Sequence, residues 1–343
     1  MPHRITILGE GAMGTVCSIL LTSGGHQVTL WGAFEESIER LLQDRENRQL
    51  LPGVRIPAGV RLTADDSDCF ADADTVVCAI PAQFIRTAWT RLAGHLPPAV
   101  PIVSVAKGIE NGTLLRPTQV IADVLGRGRR TDAGPVCDWP LAVLSGPNIA
   151  AELARYLPAT AVAASADPAV AQLVQAAFTT PWLRVYTNPD VIGVELAGAM
   201  KNVIAIAAGI LDGLGAGVNA KAALLTRGLV EITRLGEALG AQTATFRGLA
   251  GLGDLVTTCV SPEGRNRGLG EAIGRGRSLE EALAGRKSIV EGVATTRSVM
   301  ELARRHGVDM PITRSVHEVL FEGKDVLSAL SELMSREAKP ERA

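Results

Sequence analysis

A glycine-rich turn near the N-terminus constrains the fold more than any other feature of the sequence. Gly9, Gly11 and Gly14 stand in GEGAMG, between the β-branched run RITIL and an apolar helical segment at 13–23. In a strand–turn–helix unit these glycines permit a tight turn, a close backbone approach to a pyrophosphate, and helix-on-strand packing. A second strand ends about 20 residues further on, the context that distinguishes a dinucleotide site from an ordinary turn. The turn therefore predicts a dinucleotide-binding βαβ unit.

Apolar strand-like runs alternate with helical segments through the first half of the chain. They lie near residue 60 (VRLTAD) and at 75–80, 101–106, 141–145 and 160–165. Near-continuous apolar strands between helices predict a parallel sheet covered on both faces. We therefore expect a doubly wound, Rossmann-type α/β domain over residues 1–188.

The pattern changes at about residue 189, where strand-like runs give way to long helical stretches. These stretches are at 191–211, 220–239, 270–284, 295–306 and 312–321. They predict a mostly α-helical second domain over residues 189–343. The last ten residues or so, rich in Glu, Lys and Arg, are expected to fray.

Composition excludes several classes of protein. Hydrophobic residues make up 47% of the chain and charged residues 20%, and the net charge of −2 argues against a nucleic-acid or membrane-surface protein. The five cysteines form no CxxC pair, which favours a reducing cytoplasm, and the histidines lack metal-ligand spacing, so no metal is expected. No signal peptide is apparent, and no uninterrupted apolar run approaches the ~18 residues of a membrane span.

The end of the second strand bears on the choice between NAD and NADP. It reads LWGAFEES, where Glu35 and Glu36 are the only charges and no arginine appears before Arg40. An acidic residue here favours the free ribose hydroxyls of NAD, whereas a nearby arginine favours NADP. Both glutamates are equally well explained as first-turn residues of the next helix. The pattern leans towards NAD and leaves both cofactors open.

One cation, Lys201, lies within the apolar helix ELAGAMKNVIAIAAGI. Its neighbours on the same helical face are small or apolar: Ala197, Gly198, Ile204, Ala205 and Ala208. The lysine can extend its amine to water past such residues. Alternatively, it is a desolvated amine whose pKa is lowered, as a general acid or base requires.

Seven motifs occur in order along the chain: GEGAMGT, VAKG, SGPNIAAEL, NPDVIGVELAGAMKNVIAIAAGI, GLAGLGDLVTTC, GRNRGLG and VEGVATT. Together they resemble the bacterial NAD(P)-dependent glycerol-3-phosphate dehydrogenase family, from the first strand to about residue 325. The resemblance implies a cytoplasmic homodimer that interconverts dihydroxyacetone phosphate and sn-glycerol 3-phosphate for glycerophospholipid synthesis. The cofactor it implies is NAD or NADP.

The resemblance also implies roles for individual residues. Lys201 resembles the general acid/base, and Asp254 the carboxylate that lines the substrate site. The other implied substrate contacts are Lys107, Gly146, Asn148, Gly264, Arg265 and Asn266. The implied cofactor contacts are Gly9, Gly11, Ala12, Met13, Gly14, Ala33, Lys107, Ala150, Arg265, Ile289 and Glu291.

Four of these positions depart from the common form of the family. Ala12 and Met13 replace a small polar residue followed by an aromatic, so the rigid aromatic wall is lost. Asn148 stands where the family often has Ser or Thr, and Gly264 where it commonly has Ser. These changes alter single contacts but keep the expected proton donor and phosphate-binding arginine.

Two other functions are compatible with parts of the pattern. A two-domain dehydrogenase acting on a β-hydroxy acid or a ketopantoate-like substrate needs the glycine loop and the helix lysine, but not the GLGDL and GRN motifs together. A non-catalytic NAD(P)-sensing protein on the same fold would have lost its proton donor. Lys107, Lys201, Asp254 and Arg265 are all present, which argues against the sensor.

Overall fold

The computed structural model describes residues 3–337 and 340–341 of the chain. Over these residues it contains ten strands, eight of which form one sheet in the order β10-β9-β8-β5-β4-β1-β2-β3, while β6 and β7 form a small hairpin. The strands are β1 Arg4–Leu8, β2 Gln27–Trp31, β3 Arg61–Thr63, β4 Thr75–Cys78, β5 Ile102–Ser104, β6 Arg130–Thr131, β7 Gly134–Pro135, β8 Leu141–Ser145, β9 Ala159–Ala164 and β10 Leu183–Asn188.

The helices fall into two sets. Those that connect the strands are α1 Ala12–Ser23, α2 Glu35–Asp44, α3 Ile85–Leu92, α4 Pro117–Leu125, α5 Ala150–Ala154 and α6 Pro168–Phe178. Those that follow the sheet are α7 Val191–Leu214, α8 Gly217–Ala238, α9 Thr243–Arg247, α10 Asp254–Val260, α11 Arg265–Gly274, α12 Leu279–Leu283, α13 Glu291–His306, α14 Pro311–Phe321 and α15 Val326–Met334. This is the predicted fold class: a Rossmann-type sheet followed by a helical region.

The sheet is parallel except for one pair of strands. β1 pairs in parallel with both β2 and β4, so the strand order reverses at β1 and leaves a crevice at its carboxyl end. β8 and β9 are antiparallel, with Val143 opposite Ala164, which departs from the expected all-parallel sheet. The chain turns back at the carboxyl end of β8 through the short helix α5, and an antiparallel pair needs no long crossover.

Helix α7 is the core of the helical region. Every residue from Gly193 to Leu211 is buried. By length and composition α7 could also cross a membrane, although the sequence contains no uninterrupted apolar run of that length. However, 83% of its most apolar 18-residue window is buried inside the protein. It packs backbone to backbone against α11, because an added Cβ on Gly209 would lie 1.9 Å from the carbonyl oxygen of Arg267. This close packing places the N-terminus of α11 beside the middle of α7.

Some sequence expectations need correction. The helix expected at 270–284 is two helices, α11 and α12, separated by Gly276 at φ +93° and by a capping box in which Ser278 accepts from the amide of Glu281. Strand β10 was not predicted, because it alternates buried and exposed residues at the sheet edge instead of forming an apolar run. The expected fraying of the last ten residues falls partly on 338–339 and 342–343, which lie outside the described residues.

Candidate active site

The glycine turn leaves an open approach at the end of β1. Gly9 has φ +112°, and an added Cβ there would lie 2.9 Å from the carbonyl oxygen of Ala79 at the end of β4. An added Cβ on Gly14 would lie 1.8 Å from the Gly9 oxygen, so helix α1 packs directly on the turn. At Gly11, by contrast, an added Cβ meets no atom within 4 Å. The turn therefore has one backbone face free for a pyrophosphate at the N-terminus of α1.

The neighbouring predicted cofactor positions surround this turn. Ala12 and Met13 open α1, and Ala150 opens α5; all three are partly buried against the same hydrophobic core under the sheet. The helix after β8 starts at Ala150, two residues after Asn148, near which the sequence predicted its start; Ile149 is the N-cap and has an extended backbone. Ala33, at the end of β2, is half-buried.

The glutamates after β2 occupy the first turn of α2. Glu35 and Glu36 are exposed, and Glu36 forms an i,i+4 ion pair with Arg40 at 3.5 Å. Their positions are those of acidic residues that complement the positive end of a helix.

Two lysines share one buried carboxylate at the junction between sheet and helices. Lys201 Nζ lies 2.7 Å from Asp254 Oδ1, and Lys107 Nζ lies 2.8 Å from Asp254 Oδ2. Lys201 also donates to Thr258 Oγ1. Lys107 donates further to the Gly146 carbonyl at 3.0 Å and to Asn148 Oδ1 at 2.8 Å. We call Lys107, Lys201, Asp254 and Thr258 the lysine–carboxylate cluster.

The cluster is nearly closed to solvent, but its two lysines differ. The Lys201 side chain is 7% exposed and that of Asp254 is 2% exposed, whereas Lys107 is 16% exposed. Burial lowers the pKa of Lys107 to about 8, against the opposing effect of the Asp254 carboxylate, and the Lys201 charge lowers it further. Lys201 thus does not extend its amine to bulk water. The lowered pKa means that the Lys107 ammonium loses its proton more easily than a surface lysine.

The loop that carries Lys107 is fixed from both sides. Asn202, next to Lys201 on α7, donates to the Lys107 carbonyl at 3.1 Å. Farther along the loop, Glu195 of α7 is buried and accepts from Arg116 and from the Thr118 amide at 2.8 Å. These contacts connect α7 directly to the loop after β5, so the two lysines are held in one frame.

A second group lies at the N-termini of α11 and α13. Arg265 is exposed and donates to the Ile289 carbonyl at 3.2 Å, and Glu291 Oε1 accepts from the Ala82 amide at 3.1 Å. Ile289 itself is 42% exposed. We call Arg265, Ile289 and Glu291 the phosphate edge, because a guanidinium there stands at the first turn of α11, where backbone N–H groups also favour an anion.

Glu291 has an incomplete set of partners. Its Oε2 atom is buried and has no hydrogen-bond partner among the residues that the structure describes. The same is true of the Thr295 hydroxyl, one turn further along α13. Burial raises the pKa of Glu291 to about 7, partly opposed by the Ala82 amide and Arg265. Such buried, unpaired polar atoms beside the β4 crevice fit a site that a ligand completes.

Asn266 and Gly264, two of the expected substrate contacts, lie at the start of α11. The Asn266 amide donates to Asn202 Oδ1 at 2.9 Å and accepts from the Gly292 amide at 2.9 Å, so most of it is used within the protein. Gly264 is the N-cap of α11, and its backbone is extended. Gly146 has φ +131°, and an added Cβ would lie 3.1 Å from the Ala161 Cα on β9, so its backbone is constrained by close strand packing.

Sequence reasoning missed Thr258, Asn202 and Glu195. Thr258 is four residues after Asp254 on α10, so the helical spacing alone places both on one face towards Lys201. Asn202 is adjacent to Lys201 within the quoted KN motif, but its role becomes visible only when its contact with the Lys107 carbonyl is seen. Among the described residues, no three His, Cys, Asp or Glu side chains form a group able to hold a metal ion.

Comparison with protein families supplies the identification. Residues 4–171 match the family described as NAD-dependent glycerol-3-phosphate dehydrogenase N-terminus, and residues 190–331 match its C-terminus. The chain belongs to this family. Glycerol-3-phosphate dehydrogenase (NAD(P)+) of Streptomyces coelicolor is 48% identical over 344 residues, covering 99% of both chains. The enzyme of the same name from Geobacter metallireducens is 46% identical and covers 100% of both.

Solved structures agree with the family assignment. Glycerol-3-phosphate dehydrogenase from Coxiella burnetii superposes with a TM-score of 0.91 at 35% identity, covering 98% of this chain and 99% of that one. A ketopantoate reductase from Ralstonia eutropha gives a TM-score of 0.57 at 15% identity, covering 96% of this chain and 99% of that one, a likeness of fold alone. The expected family is confirmed over nearly the whole chain.

Proposed function

We propose that this protein catalyses the reversible, NAD(P)-dependent interconversion of dihydroxyacetone phosphate and sn-glycerol 3-phosphate. Family membership over both halves of the chain supports the reaction. The observation that carries the mechanism is the pair of ammonium groups on one buried carboxylate.

Lys201 is the proposed acid in the direction of reduction. When bound, a nicotinamide cofactor would supply the hydride that reduces the ketone carbon. Lys201 donates a proton from Nζ to the developing alkoxide and is left as a neutral amine. Asp254, 2.7 Å away, keeps the lysine charged and oriented before the transfer. In the direction of oxidation, neutral Lys201 takes the hydroxyl proton as a base.

Lys107 has a positioning and electrostatic role in this scheme. Its ammonium bridges Asp254, Asn148 and the Gly146 carbonyl, so it defines one wall of the cluster. A second positive charge next to Lys201 favours transfer of the Lys201 proton to a developing oxyanion, because the product state carries one fewer ammonium group. Gly146 and Asn148 shape the same wall.

The phosphate edge is proposed to hold the substrate phosphate. Within the part of the chain that the structure describes, the Arg265 guanidinium donates only to the Ile289 carbonyl, so most of its donors are free there. Gly264 and Asn266 frame the first turn of α11, where free backbone amides add donors. Binding the phosphate here fixes the short substrate with its carbonyl towards the cluster, and such positioning lowers the barrier by several kcal/mol.

The remaining proposals concern the cofactor and the cell. The glycine turn with Gly9, Gly11, Ala12, Met13 and Gly14 would hold the pyrophosphate, while Ala33, Ala150, Ile289 and Glu291 would line the rest of the dinucleotide. The free cysteines support a cytoplasmic location. The family resemblance supports a homodimer. Its product would provide the backbone of glycerophospholipids.

The decisive experiment follows nicotinamide absorbance with dihydroxyacetone phosphate and with unphosphorylated dihydroxyacetone. We expect kcat/KM to be at least about 100-fold higher for the phosphorylated ketone, since charge-assisted contacts to the phosphate are lost without it. Equal turnover of both ketones would overturn the assignment of the phosphate edge. No turnover of either would overturn the proposed reaction.

A further inference from the structure

The end of β2 lacks an acidic side chain at the position where dinucleotide domains usually have one. That position, about 20 residues after the glycine turn, is occupied by Ala33. Glu35 and Glu36 are exposed in the first turn of α2 and complement that helix. The strand itself therefore offers no carboxylate to the adenosine ribose.

A carboxylate reaches this place from the glycine turn instead. Glu10 lies between Gly9 and Gly11, and its side chain extends to the end of β2. A Cβ added on Gly32 would lie 2.9 Å from Glu10 Cδ and 3.0 Å from Oε2. The pKa of Glu10 is raised by burial, and hydrogen bonds from its own amide and from the Ala33 amide partly oppose this effect. The carboxylate thus lies against Gly32, next to the residue that stands in the usual acidic position.

The backbone around Glu10 is held in place. Asn47 Nδ2 donates to the Glu10 carbonyl at 2.8 Å and to Thr15 Oγ1 at 3.2 Å. Next to it, the Gly9 amide donates to the Trp31 carbonyl at 2.8 Å, which ties the turn to the last residue of β2. The carboxylate is therefore presented from a fixed turn, beside the open face at Gly11.

We propose that Glu10 binds the adenosine ribose hydroxyls and makes this protein select NAD(H) over NADP(H). The proposal rests on dinucleotide binding at the glycine turn. A carboxylate accepts hydrogen bonds from the two free hydroxyls of NAD. The 2′-phosphate of NADP would meet the same carboxylate as a like charge, without a hydrogen bond to compensate.

Arg91 is a nearby cation that would favour NADP(H) if its guanidinium bound the 2′-phosphate. Its Nη1 donates to the Ala33 carbonyl at 3.1 Å, and its guanidinium stacks over the Trp31 ring at 5.3 Å. It also pairs with Asp66 through Nε. The guanidinium is thus paired with an acid and held by a carbonyl, so the Asp66 charge offsets its attraction for a 2′-phosphate.

The test measures the dissociation constants of NADH and NADPH for the full-length protein by nicotinamide fluorescence. The parent should bind NADH at least about 10-fold more tightly than NADPH. Glu10→Gln keeps hydrogen bonding but removes the charge, so we expect NADPH to bind about 10-fold more tightly with little change for NADH. Glu10→Ala should also weaken NADH, moving the preference by about 10- to 100-fold.

Two controls separate this role from others. Glu35→Gln removes a nearby exposed carboxylate and should change the preference less than about twofold. Arg91→Met should leave the preference for NADH intact. The proposal is overturned if the parent prefers NADPH, if both Glu10 variants weaken the two cofactors equally, or if Arg91→Met alone abolishes NADPH binding. The binding measurement needs no ketone, so it tests Glu10 independently of the reaction. If the protein selected NADH as expected but did not turn over dihydroxyacetone phosphate, the proposed reaction would be wrong and the role of Glu10 would stand.

Discussion

The lysine–carboxylate cluster and the phosphate edge are neighbours, but they differ in how fully their polar groups are hydrogen-bonded. In the cluster, both oxygens of Asp254 are paired with ammonium groups, and each lysine has at least one further acceptor. At the phosphate edge, Arg265 is exposed and Glu291 Oε2 is buried without a partner. The cluster is organised before any ligand binds, whereas we propose that the edge is completed by its ligands.

The difference has a physical basis, because fixing a side chain in advance helps the chemical step more than it helps the capture of a substrate. Groups that act on a developing charge gain most when they are fixed and dry, because they do not reorganise during the reaction. Groups that capture a phosphate must be open to solvent until it arrives. The comparison therefore predicts that variants of the cluster affect the maximal rate, and variants of the edge affect binding.

The largest effect is expected for Lys201→Met. Loss of the proton donor should lower kcat by about 10²–10⁴-fold while the dissociation constant of NADH stays unchanged. Lys221→Met is the matched control, because Lys221 is a helical lysine whose partner is Asp212 and which lies outside the cluster. A parent-like kcat in Lys201→Met would show that the amine is only a packing feature.

Asp254→Asn should rank second. It leaves two buried ammonium groups without their carboxylate, so kcat should fall by about 10²–10³-fold. Stability at pH 7 should fall by about 3 kcal/mol, measured by urea unfolding. The loss should diminish as pH rises towards 10, because Lys107, whose pKa is lowered in the folded state, loses its unfavourable charge at a lower pH than in the unfolded chain. A stability difference that is independent of pH would contradict this explanation.

Arg265→Met tests the phosphate edge. We expect KM for dihydroxyacetone phosphate to rise about 10- to 100-fold with a smaller effect on kcat, and turnover of unphosphorylated dihydroxyacetone to stay the same. Arg275→Met, at the C-cap of the same helix, removes an exposed guanidinium paired with Glu271 and serves as the control. If both variants behaved alike, a specific role for Arg265 would be ruled out.

The smallest effect concerns Glu291→Gln. Because the folded-state pKa is raised to about 7, the parent loses stability as pH rises from about 4.5 to 7, and the full cost persists above that range. The glutamine variant has no such loss and keeps an acceptor for the Ala82 amide. Its melting temperature without cofactor should therefore exceed the parent's by a few degrees at pH 8 and match it near pH 4. Equal melting temperatures at both pH values would argue against the unpaired buried carboxylate.

The sequence allowed much of this arrangement to be predicted, because the strongest constraints are local. The glycine turn, the apolar strands and Lys201 within α7 are each read from a short window. The start of α12 also had a local signal, since Ser278 and Glu281 have the spacing of a capping box. The helical pattern on both sides of this signal nevertheless led to the prediction of one continuous helix at 270–284.

Other features depend on contacts between distant segments and have no local signature. The direction of β9 follows from where the chain turns after Ser145, and a strand's composition does not encode that direction. The contact of Glu10 with the end of β2 joins residues more than 20 positions apart through the glycine turn. Nor could the sharing of Asp254 by two lysines be read from spacing, because the three residues come from separate elements.

The contrast between the two regions is tested most directly by single-turnover hydride transfer at saturating NADH and dihydroxyacetone phosphate, comparing Lys201→Met with Arg265→Met. Under these conditions binding defects are overcome and only the chemical step is observed. The account predicts that Lys201→Met remains about 10²–10⁴-fold slower than the parent, whereas Arg265→Met approaches the parent rate. A parent-like rate in Lys201→Met, or an equal loss in both variants, would contradict it.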